Sequence, residues 1–327
     1  MSSKPKVIVT RRLAPAVEER MAELFDVEIN ADDSAMDSEA LARAMRECDV
    51  LVPTVTDDIA TSLFEQDGIR TKLIANFGAG VDHIDLKAAR TANIIVTNTP
   101  GVFTDDTADM TMALILGVPR RLSEGSKLLR SGKWRGWSPS AMLGHRIGGK
   151  TLGIIGMGRI GQAVAHRARA FGLNIRYHNR RRLPESLEQM LGASYELDLD
   201  TLIAASDIIT LHCPHSEETH EMINAERIAS MRPDAYLINT ARGELIDEEA
   251  LIEALENDRI GGAGLDVYTH EPAINPRLLE VDNTVLMPHM GSATFEGREA
   301  SGMRVAANIR IWSDGHRPPD QVLEGWA

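Results

Sequence analysis

The chain has 327 residues, with 48 acidic against 35 basic and a formal net charge of −13. At 43% hydrophobic and 25% charged, its composition is that of a folded globular protein and not of a disordered one. At roughly 150 residues per domain the length predicts two domains, and the acidic balance argues against nucleic acid, whose phosphates need clustered Lys and Arg. Two cysteines, Cys48 and Cys213, fit a reducing, cytoplasmic setting. The opening Met1-Ser2-Ser3-Lys4-Pro5-Lys6 passes straight into Val7-Ile8-Val9, unlike a secretory leader. No apolar stretch nears the roughly 20 residues of a membrane span.

In chain order, short β-branched runs alternate with amphipathic helical patterns, which predicts βαβ units and parallel sheets. The first strands fall at Val7–Thr10, Val27–Ile29, Val50–Val52, Leu73–Asn76 and Ile94–Thr97, with helices such as Ser38–Met45 and Leu86–Ala92 between them. A long helical stretch, Thr107–Arg130, contains Pro119, which should kink or break it. The turn-rich run Ser131–Pro139 follows and carries Trp134 and Trp137. A second strand series covers Thr151–Ile155, Ile175–Tyr177, Ile208–Leu211, Tyr236–Asn239, Ala263–Asp266 and Thr284–Met287, and Thr294–Asp314 reads as a closing helix. The continuous apolar character of these strands suits sheets buried on both faces. The fold class is therefore α/β, with doubly wound parallel sheets.

The strongest local motif is Gly156-Met157-Gly158-Arg159-Ile160-Gly161. It follows the strand Thr151–Ile155 and opens a helix from Ile160 to Phe171 that Gly172 stops, which is the context a dinucleotide-binding turn requires. The first glycine permits the tight turn, the second lets backbone approach a pyrophosphate, and the third lets helix pack on strand. Sites for NAD place Asp or Glu at the end of the next strand. Here that strand runs into His178-Asn179-Arg180-Arg181-Arg182, and guanidinium forks suit a 2′-phosphate. This favours NADP(H), with NAD(H) as the other option, and makes Asn179, Arg180 and Arg181 the expected contacts. The alternative is a solvated loop with surface arginines.

Later motifs place the chain near a known family. Asn76-Phe77-Gly78-Ala79-Gly80-Val81-Asp82-His83-Ile84-Asp85 resembles the substrate loop of the D-isomer-specific 2-hydroxyacid dehydrogenases. Thr240-Ala241-Arg242-Gly243, Gly264-Leu265-Asp266-Val267-Tyr268, Glu271-Pro272 and Pro288-His289-Met290-Gly291-Ser292 resemble that family's catalytic motifs in the same order. The resemblance implies a substrate domain from residues 1–101 plus 292–327. A Rossmann domain is inserted at 102–291, with a dimerisation segment at about 103–150, so a homodimer is implied. The reaction implied is hydride transfer between a nicotinamide cofactor and the C2 carbon of a 2-keto acid.

That reaction needs a cation for the carboxylate and the polarised carbonyl, an acid for the forming alkoxide, and a group that keeps the acid protonated. Arg242 fits the first role, since its fork can hold a carboxylate and it follows a strand end. His289 fits the second, because imidazole works as acid and base near neutral pH. Glu271 fits the third, since a carboxylate beside His289 favours the imidazolium. Taken singly, each has an ordinary reading: a surface ion pair for Arg242, a loop histidine for His289, a solvated carboxylate for Glu271.

By resemblance, backbone amides around Gly78, Ala79 and Gly80 bind the substrate carboxylate. Cofactor contacts come from Thr107, the turn residues Gly156, Gly158, Arg159, Ile160 and Gly161, Cys213, Pro214, Thr240, Ala241, Asp266, Gly291 and Ser292. Asp266 either accepts from the nicotinamide carboxamide or caps the strand that it follows. His212-Cys213-Pro214-His215 lacks the paired spacing of a metal site, so no metal is expected. Leu51, Val52 and Phe77, with Met142 as a further candidate, are bulky groups near the substrate loops and imply a small substrate. Trp137 is a candidate to enter the partner's site, as a tryptophan does in related glyoxylate reductases. Otherwise it and Trp134 are interface or core residues. Chain length, Glu271 and the arginines favour a glyoxylate/hydroxypyruvate reductase. A broad-specificity D-2-hydroxyacid dehydrogenase and a dinucleotide-sensing corepressor are the alternatives.

Overall fold

The computed structural model describes residues 4–323. The opening tripeptide Met1-Ser2-Ser3 and the last four residues of the expected substrate domain, 324–327, lie outside the described residues. Two compact units divide the chain, Met1–Phe103 with Ser292–Ala327, and Thr104–Gly291. Each is an α/β unit around a parallel sheet. No helix among the described residues is long and apolar enough to cross a membrane.

The first unit contains β1 (Lys6–Val9), α1 (Pro15–Leu24), β2 (Asp26–Ile29), α2 (Ser38–Glu47), β3 (Val50–Val52), α3 (Thr61–Phe64), β4 (Leu73–Ala75), α4 (Leu86–Thr91) and β5 (Ile95–Thr97). Its five strands lie in the order β2-β1-β3-β4-β5, all pairs parallel. One face is covered by an apolar cluster that includes Ile8, Leu41, Leu51, Ile74 and Val96. The other face carries Val7, Val17, Val50, Val52 and Leu73, with Val305 and Ile309 from the returning chain.

The second unit begins with α5 (Thr104–Gly117) and α6 (Leu122–Arg130). Pro119 falls between them, and Arg121 caps α6 in the left-handed region, so the expected long helix is broken in two. β6 (Thr151–Ile155), α7 (Arg159–Ala170), β7 (Asn174–His178), α8 (Glu185–Leu191), β8 (Ala193–Tyr195), α9 (Leu199–Ala205) and β9 (Ile208–Leu211) follow. The unit closes with α10 (Ala225–Ser230), β10 (Tyr236–Asn239), α11 (Glu248–Glu256), β11 (Gly262–Leu265), α12 (Pro276–Glu280) and β12 (Thr284–Leu286). The seven strands run β12-β11-β10-β9-β6-β7-β8. Only β8 is absent from the sequence reading. It is a three-residue edge strand with an exposed Ser194 at its centre, too short to show a period.

The chain then returns to the first unit as α13 (Phe295–Ser313), whose N-cap Thr294 accepts a hydrogen bond from the Gly297 N–H. Asp320 pins this return. Its carboxylate accepts from Arg304 at 2.6 and 2.7 Å and from Asn308 Nδ2 at 3.0 Å, and its carbonyl accepts from the Asn98 N–H beyond β5. Burial works against the charged carboxylate, but Arg304 and Asn308 overcome it and hold the group below the usual aspartate range. A depressed carboxyl contributes stability that is present above its unfolded pKa and lost as pH falls through the folded one. Asp320→Asn should therefore destabilise the first unit by about 1–3 kcal/mol at neutral pH. The gap from wild type should close as chemical-denaturation midpoints are followed below about pH 3.

Candidate active site

At the dinucleotide turn the three glycines are required for different reasons. Gly156 is buried at φ +97°, and a Cβ there would stand 2.6 Å from the Cys213 backbone nitrogen. A Cβ on Gly161 would overlap the Gly156 carbonyl oxygen. Gly158, by contrast, is exposed with nothing within 4 Å of a Cβ. Packing therefore dictates the first and third glycines, while the second leaves open space at the N-terminus of α7. β6 pairs with β9 on one side and β7 on the other, so this turn sits where the strand order reverses. An open cradle at a helix N-terminus at a switch point fits a pyrophosphate. Arg159 is exposed there and Ile160 half-buried.

β7 extends to His178, one residue beyond the expected strand end. Asn179 Nδ2 donates to the Arg181 carbonyl at 2.9 Å, and Tyr195 Oη donates to the Asn179 carbonyl at 3.2 Å. The three arginines have separate fates. Arg182 forks onto Glu188 at 2.9 and 2.8 Å, and Glu188 also accepts from the buried Tyr177 hydroxyl at 2.6 Å. Tyr177 Oη in turn accepts from the Leu183 N–H at 2.9 Å. Arg182 and then Tyr177 hold Glu188 down at about 2, whereas burial and then Glu188 push Tyr177 up to about 12. Arg182 is thus a brace for the loop. Arg180 is left outward, with a loose 3.6 Å pair to Glu218, and Arg181 is exposed.

The three expected catalytic residues all belong to the second unit. His289 Nδ1 lies 2.6 Å from Glu271 Oε2, and Glu271 Oε1 accepts from the Tyr268 N–H at 3.0 Å. Each side chain keeps about a third of its surface accessible (30% and 34%). Burial raises the Glu271 carboxyl, but the His289 hydrogen bond and charge, the Tyr268 N–H and the Arg242 charge outweigh it and hold the group below its ordinary range. Arg242 follows β10 in a turn fixed by Asn239, whose Oδ1 accepts from the Ala241 N–H and whose Nδ2 donates to the Arg242 carbonyl. The Arg242 turn and the Tyr268–Glu271 turn are pressed together, since a Cβ on Gly243 would overlap the Tyr268 carbonyl group.

Asp266, only 1% exposed, accepts from the Met290 N–H at 2.7 Å and the Gly291 N–H at 2.6 Å. Burial raises its pKa against those two bonds. It therefore caps the turn that holds His289, itself at φ +51°. Thr240 Oγ1 lies 2.8 Å from Thr111 Oγ1, which donates to the Thr107 carbonyl, and this ties α5 to β10. A Cβ on Gly291 would approach the Thr107 methyl at 3.7 Å. Cys213 is half-buried beside Met222, and burial pushes its thiol up to about 11. Pro214 is exposed. His212 is pushed down to about 3 by burial, with Nε2 2.9 Å from Thr210 Oγ1, while His215 faces His220. The motif Gly264–Tyr268 implies no role for Tyr268. Its N–H orients Glu271 and its hydroxyl donates to the Met287 carbonyl at 2.9 Å, so it joins both sides of the histidine–glutamate pair.

The expected substrate loop belongs to the first unit, beyond β4. Ala79 is exposed, and Gly78 and Gly80 are half-buried. Leu51 and Val52 are not pocket walls: both are 0% exposed and pack on opposite faces of the central strand β3, which has no free face. Phe77 is likewise a core residue, at 6%. Met142 lies in the second unit beside Gly125, and Trp134 and Trp137 are exposed there, so neither tryptophan is a core residue of the chain. Ser292 opens the return to the first unit.

The glycine geometry makes a discriminating prediction. Gly161→Ala should lower the melting temperature by several degrees, because its Cβ meets backbone. Gly158→Ala should melt within about a degree of wild type and yet bind NADPH at least about 10-fold more weakly in a fluorescence titration.

Comparison with known proteins identifies the relatives of this chain. The family model described as "D-isomer specific 2-hydroxyacid dehydrogenase, NAD binding domain" matches residues 112–291. A glyoxylate reductase of Thermococcus litoralis is 44% identical over 98% of this chain and 97% of its own length. A solved NADPH-dependent glyoxylate/hydroxypyruvate reductase from Sinorhizobium meliloti, in complex with NADP and malonate, superposes with a TM-score of 0.85 at 34% identity, covering 98% of each chain. A glyoxylate reductase structure from Paecilomyes thermophila gives 0.86 at 34% identity, covering 99% of each. The chain is an enzyme of the D-isomer-specific 2-hydroxyacid dehydrogenase family.

Proposed function

We propose that this enzyme reduces glyoxylate or hydroxypyruvate to the corresponding D-2-hydroxy acid or its achiral analogue, with NADPH preferred over NADH. The observation that carries the reading is the 2.6 Å His289–Glu271 pair beside the Arg242 turn. The relatives' names supply the substrate class. The bound nicotinamide supplies the hydride. The dinucleotide is held by the Gly156–Gly161 turn, with Thr107, Cys213, Pro214, Thr240, Ala241, Asp266, Gly291 and Ser292 as further contacts. Arg180 and Arg181 take the 2′-phosphate.

Arg242 holds the substrate carboxylate and polarises the carbonyl. Nδ1 of His289 is committed to Glu271, so Nε2 is the nitrogen that faces the substrate oxygen and delivers its proton. Glu271 fixes the ring and stabilises the imidazolium, as a carboxylate partner of a catalytic histidine does. The free thiols of Cys48 and Cys213 fit a cytoplasmic enzyme. The segment from α6 to Leu143 is the face for a second copy. α6 buries no residue, and Leu122, Leu129, Trp134, Trp137 and Leu143 are all exposed on it. Trp137 is then the residue placed to enter the partner's site.

Following NADPH and NADH oxidation with glyoxylate, hydroxypyruvate, pyruvate and phenylpyruvate tests the assignment. Glyoxylate and hydroxypyruvate should be turned over best, and no turnover of any of the four would refute it. His289→Ala should lower kcat by about 100-fold or more. Because Glu271 stays ionised below its ordinary range, the reduction rate should hold on the acid side to about pH 5. Glu271→Gln should lower the rate and abolish its dependence on a carboxylate at the acid end, and an unchanged rate and profile would remove Glu271 from the role. Arg180→Ala with Arg181→Ala should raise KM for NADPH about 10-fold or more while leaving KM for NADH within about twofold.

A further inference from the structure

The orientation of the Gly78–Gly80 loop is set by two buried asparagines. Asn76 is 0% exposed, and its Nδ2 donates to the Gly78 carbonyl at 3.1 Å and the Gly80 carbonyl at 2.8 Å. Asn98, 2% exposed, donates from Nδ2 to the Ala79 carbonyl at 2.7 Å. The Thr99 N–H adds a second bond to the Gly78 carbonyl at 2.9 Å. Three successive carbonyls are thereby drawn to the inside. His83 Nε2 lies 3.0 Å from Asn76 Oδ1, so as a donor it leaves only the amide nitrogen to face the loop.

In a trans peptide the C=O of one residue and the N–H of the next point in opposite directions. Drawing in the carbonyls of Gly78, Ala79 and Gly80 therefore turns out the N–H groups of Ala79, Gly80 and Val81. Among the described residues none of these three N–H groups donates to another protein group. Consecutive N–H groups aimed the same way form an anion-binding concavity.

We propose that Asn76 and Asn98 are positioning residues. They hold the loop's peptide planes in the one orientation that presents three amides to the substrate carboxylate, and His83 fixes the orientation of Asn76. This rests on the functional reading above. It adds that carboxylate affinity is set by two side chains that never touch the substrate. The amides select a carboxylate by direction, not by net charge. Losing Asn98 frees the Ala79 carbonyl to rotate outward, which withdraws the Gly80 N–H and puts an acceptor oxygen in its place.

The test is Asn98→Ala in the enzyme loaded with NADP(H), with oxalate as the non-reacting dicarboxylate probe. Calorimetric oxalate affinity should fall about 10-fold or more, and KM for glyoxylate should rise in step. The kcat should stay within about threefold and NADPH affinity within about twofold, since Asn98 contacts neither reacting atoms nor cofactor. Asn98→Leu fills the same volume without a donor. It gives the same readout if the alanine variant folds poorly. Oxalate affinity within about twofold of wild type in the folded variants would overturn the positioning role. A wild-type enzyme that neither reduces glyoxylate nor binds oxalate would instead overturn the functional reading, and the positioning role with it.

Discussion

A parallel sheet covered on both faces has no surface on which to bind anything. Strand side chains are consumed by the two cores, and strand backbone is consumed by the ladder. Polar chemistry is confined to the turns beyond the carboxyl ends of the strands. The dinucleotide turn, the proposed catalytic residues and the proposed substrate loop obey that restriction. Gly156–Gly161 follows β6, Asn179–Arg181 follows β7, Arg242 follows β10, Asp266 follows β11, His289 follows β12, and the Gly78–Gly80 loop follows β4. The turns are held by specific contacts. Gly243 against Tyr268, Asp266 against the Met290 and Gly291 amides, and Asn76 and Asn98 against the Gly78–Gly80 carbonyls are the contacts that fix them.

The same restriction explains what the sequence discloses. The strand runs are apolar because both faces are buried, so nearly all of them are readable, and motifs that follow a strand can be placed at once at its end. The histidine–glutamate pairing is expected from the resemblance to the family's motifs, and the two residues lie in turns after the neighbouring strands β11 and β12. The residues that aim these turns are less visible. Tyr268, Asn76 and Asn98 act through one or two hydrogen bonds each, which leave no spacing or periodicity behind. Leu51 and Val52 mislead in the opposite way. They are close in sequence to the turn after β3, but a residue inside a covered strand is core whatever lies beyond its end.

Net charge is a poor guide to the ligands of such a molecule. The chain carries −13 overall, while the proposed substrate and cofactor are both anions. Under the proposed function attraction is local, from the Arg242 fork, Arg180 and Arg181, the amides at the start of α7 and those of the Gly78–Gly80 loop. Backbone amides are well suited to this task. They carry no formal charge to desolvate and are held in direction by the fold.

The Arg182–Glu188–Tyr177 brace separates the shape of the 178–183 loop from what the loop displays. Its conformation is secured by contacts of Arg182, while the neighbouring Arg180 and Arg181 are exposed. The exposed side chain at 181 can be exchanged while the brace stays intact. Under the proposed function, discrimination between the two dinucleotides is then an evolvable property of the enzyme. It could drift between close relatives that differ little elsewhere.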